Sequence, residues 1–300
     1  MPEAGAGGLE PRAPLVVGVA AYKGGTGKTT VAFNVGMEFA RPRGYGGVPA
    51  CPTIFIDFDP QGNRESSGLT LKQLLAGRGP FRPERVGEIE GFEVYRLEFE
   101  PDGLEELLDD RAAGLGAAFL AVPASGDYRR VASRKRVRRL VAGVHDLVRG
   151  EDGGARPPIA FVDTPPMNSE QRWVKRVLRA CDTIVPVMDP SSPEQITRFL
   201  ESEHGPDVRV LVLNKDYKPG TVEWEANLER VRRELSKVVG AVDRVHIPDA
   251  QVIKSATDLG IPLRMRRSRP REYERLFREV AFLIAQYWQR RDHVTGVLEG

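Results

Sequence analysis

Lys23-Gly24-Gly25-Thr26-Gly27-Lys28-Thr29-Thr30 is the stretch of sequence that decides the fold. It follows a short apolar run, residues 15–21, and opens a helix-compatible segment. A glycine-rich loop between a strand and a helix points successive backbone N–H groups and the positive end of the helix at one place, which suits the phosphates of a nucleotide. In this pattern Lys28 serves the β- and γ-phosphates, and the Thr29 hydroxyl is placed to ligate Mg²⁺. We therefore expect this loop to bind a nucleotide with Mg²⁺.

The rhythm of strand followed by helix continues beyond the loop. Further short apolar runs, most of them followed by helix-compatible segments, lie at 53–57, 159–163, 183–187 and 208–213. Runs that are apolar on both faces are typical of buried strands in a parallel sheet whose crossovers supply the helices. The sequence therefore predicts an α/β fold of the P-loop NTPase class, a mostly parallel twisted sheet with helices on both faces, in a single domain.

The domain boundaries follow from composition. We expect a flexible lead-in, the folded domain and a short tail, at residues 1–14, 15–291 and 292–300. Within the domain, residues 64–158 form an elaborated crossover, because they contain two apolar runs, 92–99 and 117–122, where one strand is expected. The extra run is either an edge strand or an insertion that binds a partner.

Composition excludes several classes of protein. The 44 Lys and Arg residues and 42 Asp and Glu residues give a net charge of +2. A net charge this close to zero does not by itself indicate a nucleic acid or membrane partner. Cys51 and Cys181 lie far apart without a C-x-x-C neighbour, which argues against a disulfide framework, a zinc site or an iron–sulfur cluster. The helix expected over 271–290 has one apolar stripe, which we expect to pack on the sheet. The sequence predicts a cytoplasmic protein without a membrane partner.

Two carboxylates end the apolar run at 53–57. The segment 54–63 reads Ile-Phe-Ile-Asp-Phe-Asp-Pro-Gln-Gly-Asn, and strand alternation predicts that Asp57 and Asp59 point the same way. A carboxylate at such a strand end can orient the water that attacks a γ-phosphate. We therefore interpret Asp59 as a catalytic residue and a candidate Mg²⁺ ligand.

A third motif, Ile-Ala-Phe-Val-Asp-Thr-Pro-Pro, occupies residues 159–166. Ligands of open α/β sheets bind at the carboxyl ends of the strands, and Asp163 lies at such an end. Its carboxylate is the natural partner of Thr29 in holding Mg²⁺, directly or through water.

The loop departs from the general G-x-x-x-x-G-K-[ST] pattern, because Tyr22 stands where the first glycine is expected and Lys23 opens the loop. The form K-G-G-x-G-K-[ST] resembles the deviant Walker A loop of the ParA/MinD ATPases, and the three motifs together resemble that family over roughly residues 15–290. The resemblance implies that Lys23 is catalytic, reaching across an ATP-dependent homodimer to the partner's nucleotide. It links Asp59 to hydrolysis and Asp163 to the second switch region.

The resemblance also implies a nucleotide site in which Asn214 and the segment after Ile247 and Pro248 lie near the adenine base. Asparagine and proline are ordinary loop residues as well, so a purely structural role stays open for both. The full set of candidate nucleotide-binding residues is Lys23, Gly24, Gly25, Thr26, Gly27, Lys28, Thr29, Thr30, Asp163, Asn214 and Pro248, with ATP and Mg²⁺ as cofactors and with Thr29, Asp163 and Asp59 as metal ligands.

Two stretches dense in arginine, 129–139 and 264–271, raise the question of partners. ParA-type ATPases bind DNA without sequence preference, so the resemblance implies DNA contacts, a ParB-like activating partner and association with the nucleoid in the ATP state. A solvated helix face is the alternative interpretation of each stretch. We expect the later stretch to be exposed by its proline-broken loop and to contact DNA through Arg264, Arg266, Arg267, Arg269 and Arg271.

The function predicted on this basis is an ATPase switch that partitions chromosomes or plasmids. Two alternatives stay open: a MinD-like positioning ATPase on a membrane, and a ParA-like ATPase that positions a cargo other than DNA.

Overall fold

The computed structural model describes residues 13–59, 71–75, 77, 79–109, 114–152, 156–167, 172–216, 220–237, 242–268 and 271–298.

The described residues contain one sheet. Its strands are β1 Leu15–Ala20, β2 Thr53–Asp57, β3 Phe81–Ile89, β4 Phe92–Phe99, β5 Ala118–Pro123, β6 Ile159–Asp163, β7 Thr183–Met188, β8 Val210–Asp216 and β9 Asp243–Pro248. Their order is β3-β4-β5-β2-β6-β1-β7-β8-β9. From β5 to β9 all neighbours are parallel, while β4 pairs antiparallel with both β3 and β5.

Helices cover both faces of this sheet. They are α1 Lys28–Phe39, α2 Leu71–Leu75, α3 Tyr128–Val131, α4 Arg134–Asp152, α5 Arg172–Leu178, α6 Glu194–Leu200, α7 Val222–Leu235, α8 Gln251–Asp258 and α9 Arg271–Leu298. Apolar residues of α1, α8 and α9 pack on one face, and apolar residues of α3 to α7 pack on the other. The predicted α/β class and the mostly parallel sheet are confirmed.

Alternation along β2 shows why the central strands are apolar throughout. Phe55 packs into the core on the side of α1, whereas Ile54 and Ile56 pack into the core on the side of α4. Each of these side chains is fully buried. A strand covered on both faces buries odd and even residues alike, so its sequence shows no polar alternation.

The region 64–158 adds an antiparallel hairpin at one edge of the sheet. β4 coincides with the apolar run at 92–99, and β3 continues the sheet beyond it. The sequence did not predict β3, because much of this edge strand is exposed and it carries charged residues and Pro83. Proline and charge are typical of edge strands, since they discourage pairing with another chain.

The C-terminal helix is longer than predicted. α9 continues to Leu298, so residues 292–298, interpreted from the sequence as a tail, extend the helix. The segment contains no proline that would end it. None of the helices in the described part of the chain is long and apolar enough to cross a membrane.

Candidate nucleotide-binding site

The three motifs meet at the carboxyl edge of the sheet. β6 lies between β1 and β2, and Asp163 is in register with Val19 on one side and with Asp57 on the other. The loop 21–27 leaves β1 at this edge and leads into α1. The fold thus brings the glycine-rich loop, the end of β2 and the end of β6 into one place.

Glycine is required inside the loop. Gly25 and Gly27 have φ values of 75° and 86°, in the left-handed region that other residues adopt only with strain. A Cβ at Gly27 would also lie 2.3 Å from Nδ2 of Asn214. Gly27 is the residue before α1, and because it has no side chain it makes no side-chain cap for that helix. The first backbone N–H groups of α1 therefore remain available to a ligand.

Thr29 and Asp163 are joined by a hydrogen bond. The Thr29 hydroxyl donates to Oδ2 of Asp163 over 2.5 Å. The other carboxylate oxygen, Oδ1, is buried and has no hydrogen-bond partner among the described residues. A hydroxyl beside a carboxylate with a spare oxygen is the kind of oxygen donor set that Mg²⁺ binds.

The electrostatics of Asp163 agree with a cation site. Burial raises the pKa of this carboxyl to about 6, against the opposing effects of the Lys28 charge and the Thr29 hydrogen bond, while the charge of Asp59 raises it further. A buried carboxylate is costly unless a positive charge accompanies it. The residues present therefore fit a divalent cation.

Thr26 provides a second unsatisfied polar group in the loop. Its side chain is buried, and its hydroxyl has no partner in the described part of the chain. Its carbonyl oxygen accepts a hydrogen bond of 2.7 Å from Nδ2 of Asn214, which fastens the end of β8 to the loop. Buried polar groups are normally paired, so an unpaired hydroxyl beside free N–H groups fits a phosphate ligand.

Asp57 and Asp59 have different roles in the local structure. β2 ends at Asp57, so strand alternation does not set the direction of Asp59, and the expectation that the two side chains point the same way stays a prediction. Instead, Asp57 is buried and its Oδ1 accepts a 2.8 Å hydrogen bond from the backbone N–H of Asp59. Phe58 donates its N–H to the carbonyl of Asp163. Asp57 thus holds the backbone of the proposed catalytic residue, a role that sequence analysis did not assign to it. The remainder of this motif, residues 60–63, lies outside the described residues.

The first residues of the glycine-rich motif are exposed to solvent. Lys23, Gly24 and Gly25 are exposed, whereas Lys28 is buried. Thr30 is half-buried, and its carbonyl accepts a hydrogen bond from Asn34 within α1. The structure therefore separates the two lysines: Lys28 lies inside the site, and Lys23 faces outward.

Asn214 lies two residues before the end of β8, and Pro248 is the last residue of the neighbouring strand β9. Lys215, with φ of 61°, marks an irregularity after Asn214, and Asp216 then pairs with Pro248. Asp216 is buried, and its carboxylate lies 2.7 Å from Nδ1 of His246. The Asp216–His246 pair was not predicted, although the polar run 214–216 after an apolar strand was its signal. The contact of Asn214 with the glycine-rich loop brings β8 into the site.

The prediction that the loop at 264–271 exposes its arginines is wrong for Arg264. This side chain is buried, and its Nη2 donates to the carbonyl of Gly114 over 2.7 Å. Arg266 is half-buried and donates to the carbonyl of Val252 over 3.0 Å. Both guanidinium groups satisfy backbone carbonyls inside the protein, which removes Arg264 from any phosphate contact in this conformation.

The remaining arginines of that loop differ among themselves. Arg267 is exposed, although its Nε donates to the carbonyl of Leu108 over 3.0 Å. Arg271 is exposed at the start of α9. Arg269 lies outside the described residues. The later stretch thus partly serves to hold the loop against Leu107, Leu108 and Gly114.

Two curated partition proteins are similar in sequence to parts of this chain. No family model matches the chain. The chain is 44% identical to a chromosome-partitioning ATPase Soj of Treponema pallidum over 61 residues, 19% of this chain and 21% of that protein. It is 33% identical to a chromosome-partitioning protein ParA of Caulobacter vibrioides over 127 residues, 38% of this chain and 44% of that protein. The chain therefore aligns with less than half the length of these curated relatives.

Comparison with solved structures supports the fold. McdA from Cyanothece, solved as an ATP complex, superposes with a TM-score of 0.52 at 15% identity, covering 90% of this chain and 96% of that one. The apo form of the same protein gives a TM-score of 0.50 over 93% of this chain. The sequence similarity to the Soj and ParA proteins confirms the resemblance predicted from the motifs, and the superpositions confirm the fold.

Proposed function

We propose that this protein binds and hydrolyses MgATP and uses the cycle as a switch for partitioning DNA. The observation that carries the proposal is the 2.5 Å hydrogen bond between the Thr29 hydroxyl and Asp163, beside a carboxylate oxygen without a partner among the described residues. It lies beside the glycine-rich loop, whose last residue, Gly27, makes no side-chain cap for α1. These are the parts that a nucleoside triphosphate and its metal ion require.

Each element of the site has a role in binding. The N–H groups at the start of α1 and the Thr26 hydroxyl bind phosphate oxygens, and the ammonium group of Lys28 neutralises charge on the β- and γ-phosphates. Thr29 and Asp163 hold Mg²⁺, which supplies positive charge at the transferring phosphoryl group. Asn214 keeps the loop in place by its hydrogen bond to Thr26.

Hydrolysis needs a positioned water and compensation of charge in the transition state. Asp59 orients the attacking water, and Asp57 fixes the backbone of Asp59 by the 2.8 Å hydrogen bond. Lys23 is exposed, and we infer that it acts on the phosphates bound by a second subunit. Hydrolysis is thereby confined to the ATP-bound homodimer.

The biological use follows from the named relatives. The proteins of Treponema pallidum and Caulobacter vibrioides that this chain resembles are described as chromosome-partitioning proteins. We infer that the ATP dimer binds DNA without sequence preference, that a ParB-like protein stimulates hydrolysis and resets the switch, and that the protein works in the cytoplasm on the nucleoid.

The nucleotide part of the proposal is tested by the Lys28→Ala variant. Loss of a buried cation that neutralises phosphate should weaken ATP binding by about 100-fold, since a charge-assisted contact contributes about 3 kcal/mol. Isothermal titration with MgATP measures this directly. Lys175→Ala, which removes an exposed lysine in α5, is the matched control and should bind like the wild type. Unchanged affinity of Lys28→Ala would show that the loop is not the nucleotide site.

The DNA part is tested by co-sedimentation with duplex DNA in ATP, in ADP and without nucleotide, across a series of salt concentrations. Binding that requires ATP and weakens steeply with salt supports partitioning, because phosphate contacts release counterions. Hydrolysis of ATP without DNA binding in any state would instead favour another cargo or a membrane surface.

A further inference from the structure

The basic stretch that spans α3 and the start of α4 is divided by the fold into two sets of cations. The first set has acceptor partners on neighbouring elements: Arg136 donates to the carbonyl of Glu90 over 2.9 Å, and Nη1 of Arg139 lies 3.3 Å from Oε1 of Glu90. Arg138 forms an ion pair with Asp182. These three arginines fasten α4 to the β3–β4 turn and to the start of β7.

The outward set has no such partners. Its members are exposed, and they form no ion pair with any residue in the described part of the chain. The one carboxylate of this stretch, Asp127, accepts a hydrogen bond of 3.1 Å from the backbone N–H of Arg129 and caps α3. We call this set the outer basic surface; it consists of Arg129, Arg130, Arg134 and Lys135.

The outer basic surface lies at the same edge of the sheet as the nucleotide site. α3 follows the carboxyl end of β5, and β5 runs parallel to β1 with β2 and β6 between them. Three strand spacings separate β5 from β1 by about 14 Å. At this distance from the site, binding of one partner to the outer basic surface can depend on which nucleotide is bound.

An aromatic row joins this surface to the site. Tyr128, directly before Arg129, stacks on Trp173 of α5 with ring centres 6.0 Å apart. Trp173 in turn packs on Phe58, 6.1 Å away, and Phe58 stands between Asp57 and Asp59. The short helix α3, which carries Arg129 and Arg130, is therefore connected through Trp173 to the segment proposed to act in hydrolysis.

The side chains of the outer basic surface indicate which class of partner it can bind. Tyr128, Val131 and Ala132 are buried, so the described residues offer no apolar side chain here to insert into a bilayer and no aromatic ring on which an unpaired base could stack. What the surface offers is positive charge on long side chains. Such a surface fits the phosphate backbone of duplex DNA without reading its sequence.

We propose that Arg129, Arg130, Arg134 and Lys135 form the docking surface for duplex DNA, in place of the buried Arg264 and its neighbours. The inference rests on the proposed function, since it assumes that the protein binds DNA. The two are separable, because the wild-type protein tests DNA binding and the variants test the surface.

The experiment compares two triple variants with the same loss of charge. Arg129→Ala/Arg130→Ala/Arg134→Ala removes most of the outer basic surface, and Arg230→Ala/Arg232→Ala/Arg233→Ala removes three exposed arginines from α7. Binding to a fluorescein-labelled 30-bp duplex of random sequence is measured by anisotropy with MgATP, at several salt concentrations. Far-UV circular dichroism and MgATP titration establish that each variant is folded and binds nucleotide.

The surface variant should lose affinity, and the slope of log K against log salt should become shallower by about 3, since each lost phosphate contact reduces the slope by about 0.9. The α7 variant should keep the wild-type slope. Equal slopes in the surface variant and the wild type, or a loss confined to the α7 variant, would overturn the assignment. Absence of wild-type binding in every nucleotide state would overturn both the surface and the DNA part of the proposed function.

Discussion

Asp163→Asn should make the nucleotide-free protein more stable, and only above a certain pH. Burial raises the pKa of this carboxyl to about 6, from an ordinary value of about 4. A group whose pKa is raised by folding contributes its stability at pH values below the unfolded pKa and loses it as the pH rises through the folded pKa. The wild-type protein should therefore lose stability between about pH 4 and pH 6 from this one group.

The magnitude follows from the shift. About two pKa units at 1.36 kcal/mol each correspond to about 3 kcal/mol, which is an upper bound because a buried site relaxes around its charge. Asparagine has the shape of the neutral carboxyl, and its Oδ1 can still accept the hydrogen bond from Thr29. The variant should thus match the wild type near pH 4 and exceed it by up to about 3 kcal/mol above pH 6.

Urea denaturation at pH 4.0, 5.0, 6.0 and 7.5, in buffer with EDTA and without nucleotide, measures the difference. All other titrating groups are common to both proteins and cancel. Asp146→Asn, an exposed residue on α4, controls for the chemical change and should show a small difference that does not grow with pH. Two results would refute the claim that the buried charge of Asp163 destabilises the protein when no cation is bound. One is a variant that is less stable than the wild type at pH 7.5, and the other is a stability difference that does not depend on pH.

Three further predictions address the chemistry and the loop. Lys23→Ala should keep its MgATP affinity in titration and lose dimer-dependent hydrolysis, because the exposed lysine acts on a second subunit; an unaffected hydrolysis rate would break the cross-subunit assignment. Asp59→Ala should bind MgATP normally, hydrolyse it about 100-fold more slowly and accumulate as a dimer in size-exclusion chromatography with ATP, since the attacking water loses its orientation; normal turnover would remove Asp59 from the catalytic role. Gly27→Ala should lose ATP binding and at least about 1 kcal/mol of stability, because its φ is 86° and the new Cβ would lie 2.3 Å from Asn214. Gly77→Ala is the matched control, with φ of 75° and no atom within 4 Å of the new Cβ, so it should show the backbone cost and full nucleotide binding.

The strands that could be predicted are those buried on both faces. β2 and β6 begin and end where their apolar runs do, because burial on both sides imposes apolar residues at nearly every position. β3 and β9 could not be recognised in this way. β3 lies at the sheet edge with most of its residues exposed, and β9 begins with the exposed Asp243 and Arg244. An edge strand is defined by its hydrogen bonds to a neighbour, which a local hydrophobic pattern does not contain.

One contact of the site could be predicted from the sequence, because the two residues share a chemical role. The motifs and the expected sheet topology predict that Asp163 lies beside Thr29, and the structure shows a 2.5 Å hydrogen bond between the two side chains. The role of Asp57 could not be predicted, since it depends on where β2 ends and on the backbone direction of Asp59. The alternation of side chains along β2 applies up to Asp57, where the strand ends.

The two arginine stretches show why charge in a sequence does not identify a binding surface. A guanidinium group carries five donors, and inside a protein it can satisfy carbonyl oxygens of a loop as readily as it binds phosphates. Arg264 does so with Gly114, and it is buried although its loop is broken by proline. On a helix, by contrast, the apolar stripe sets which positions face inward: Val131 and Val137 are buried, so Arg130 and Arg134 are left outside. A basic stretch therefore predicts a nucleic acid contact best where helical periodicity already requires its cations to face the solvent.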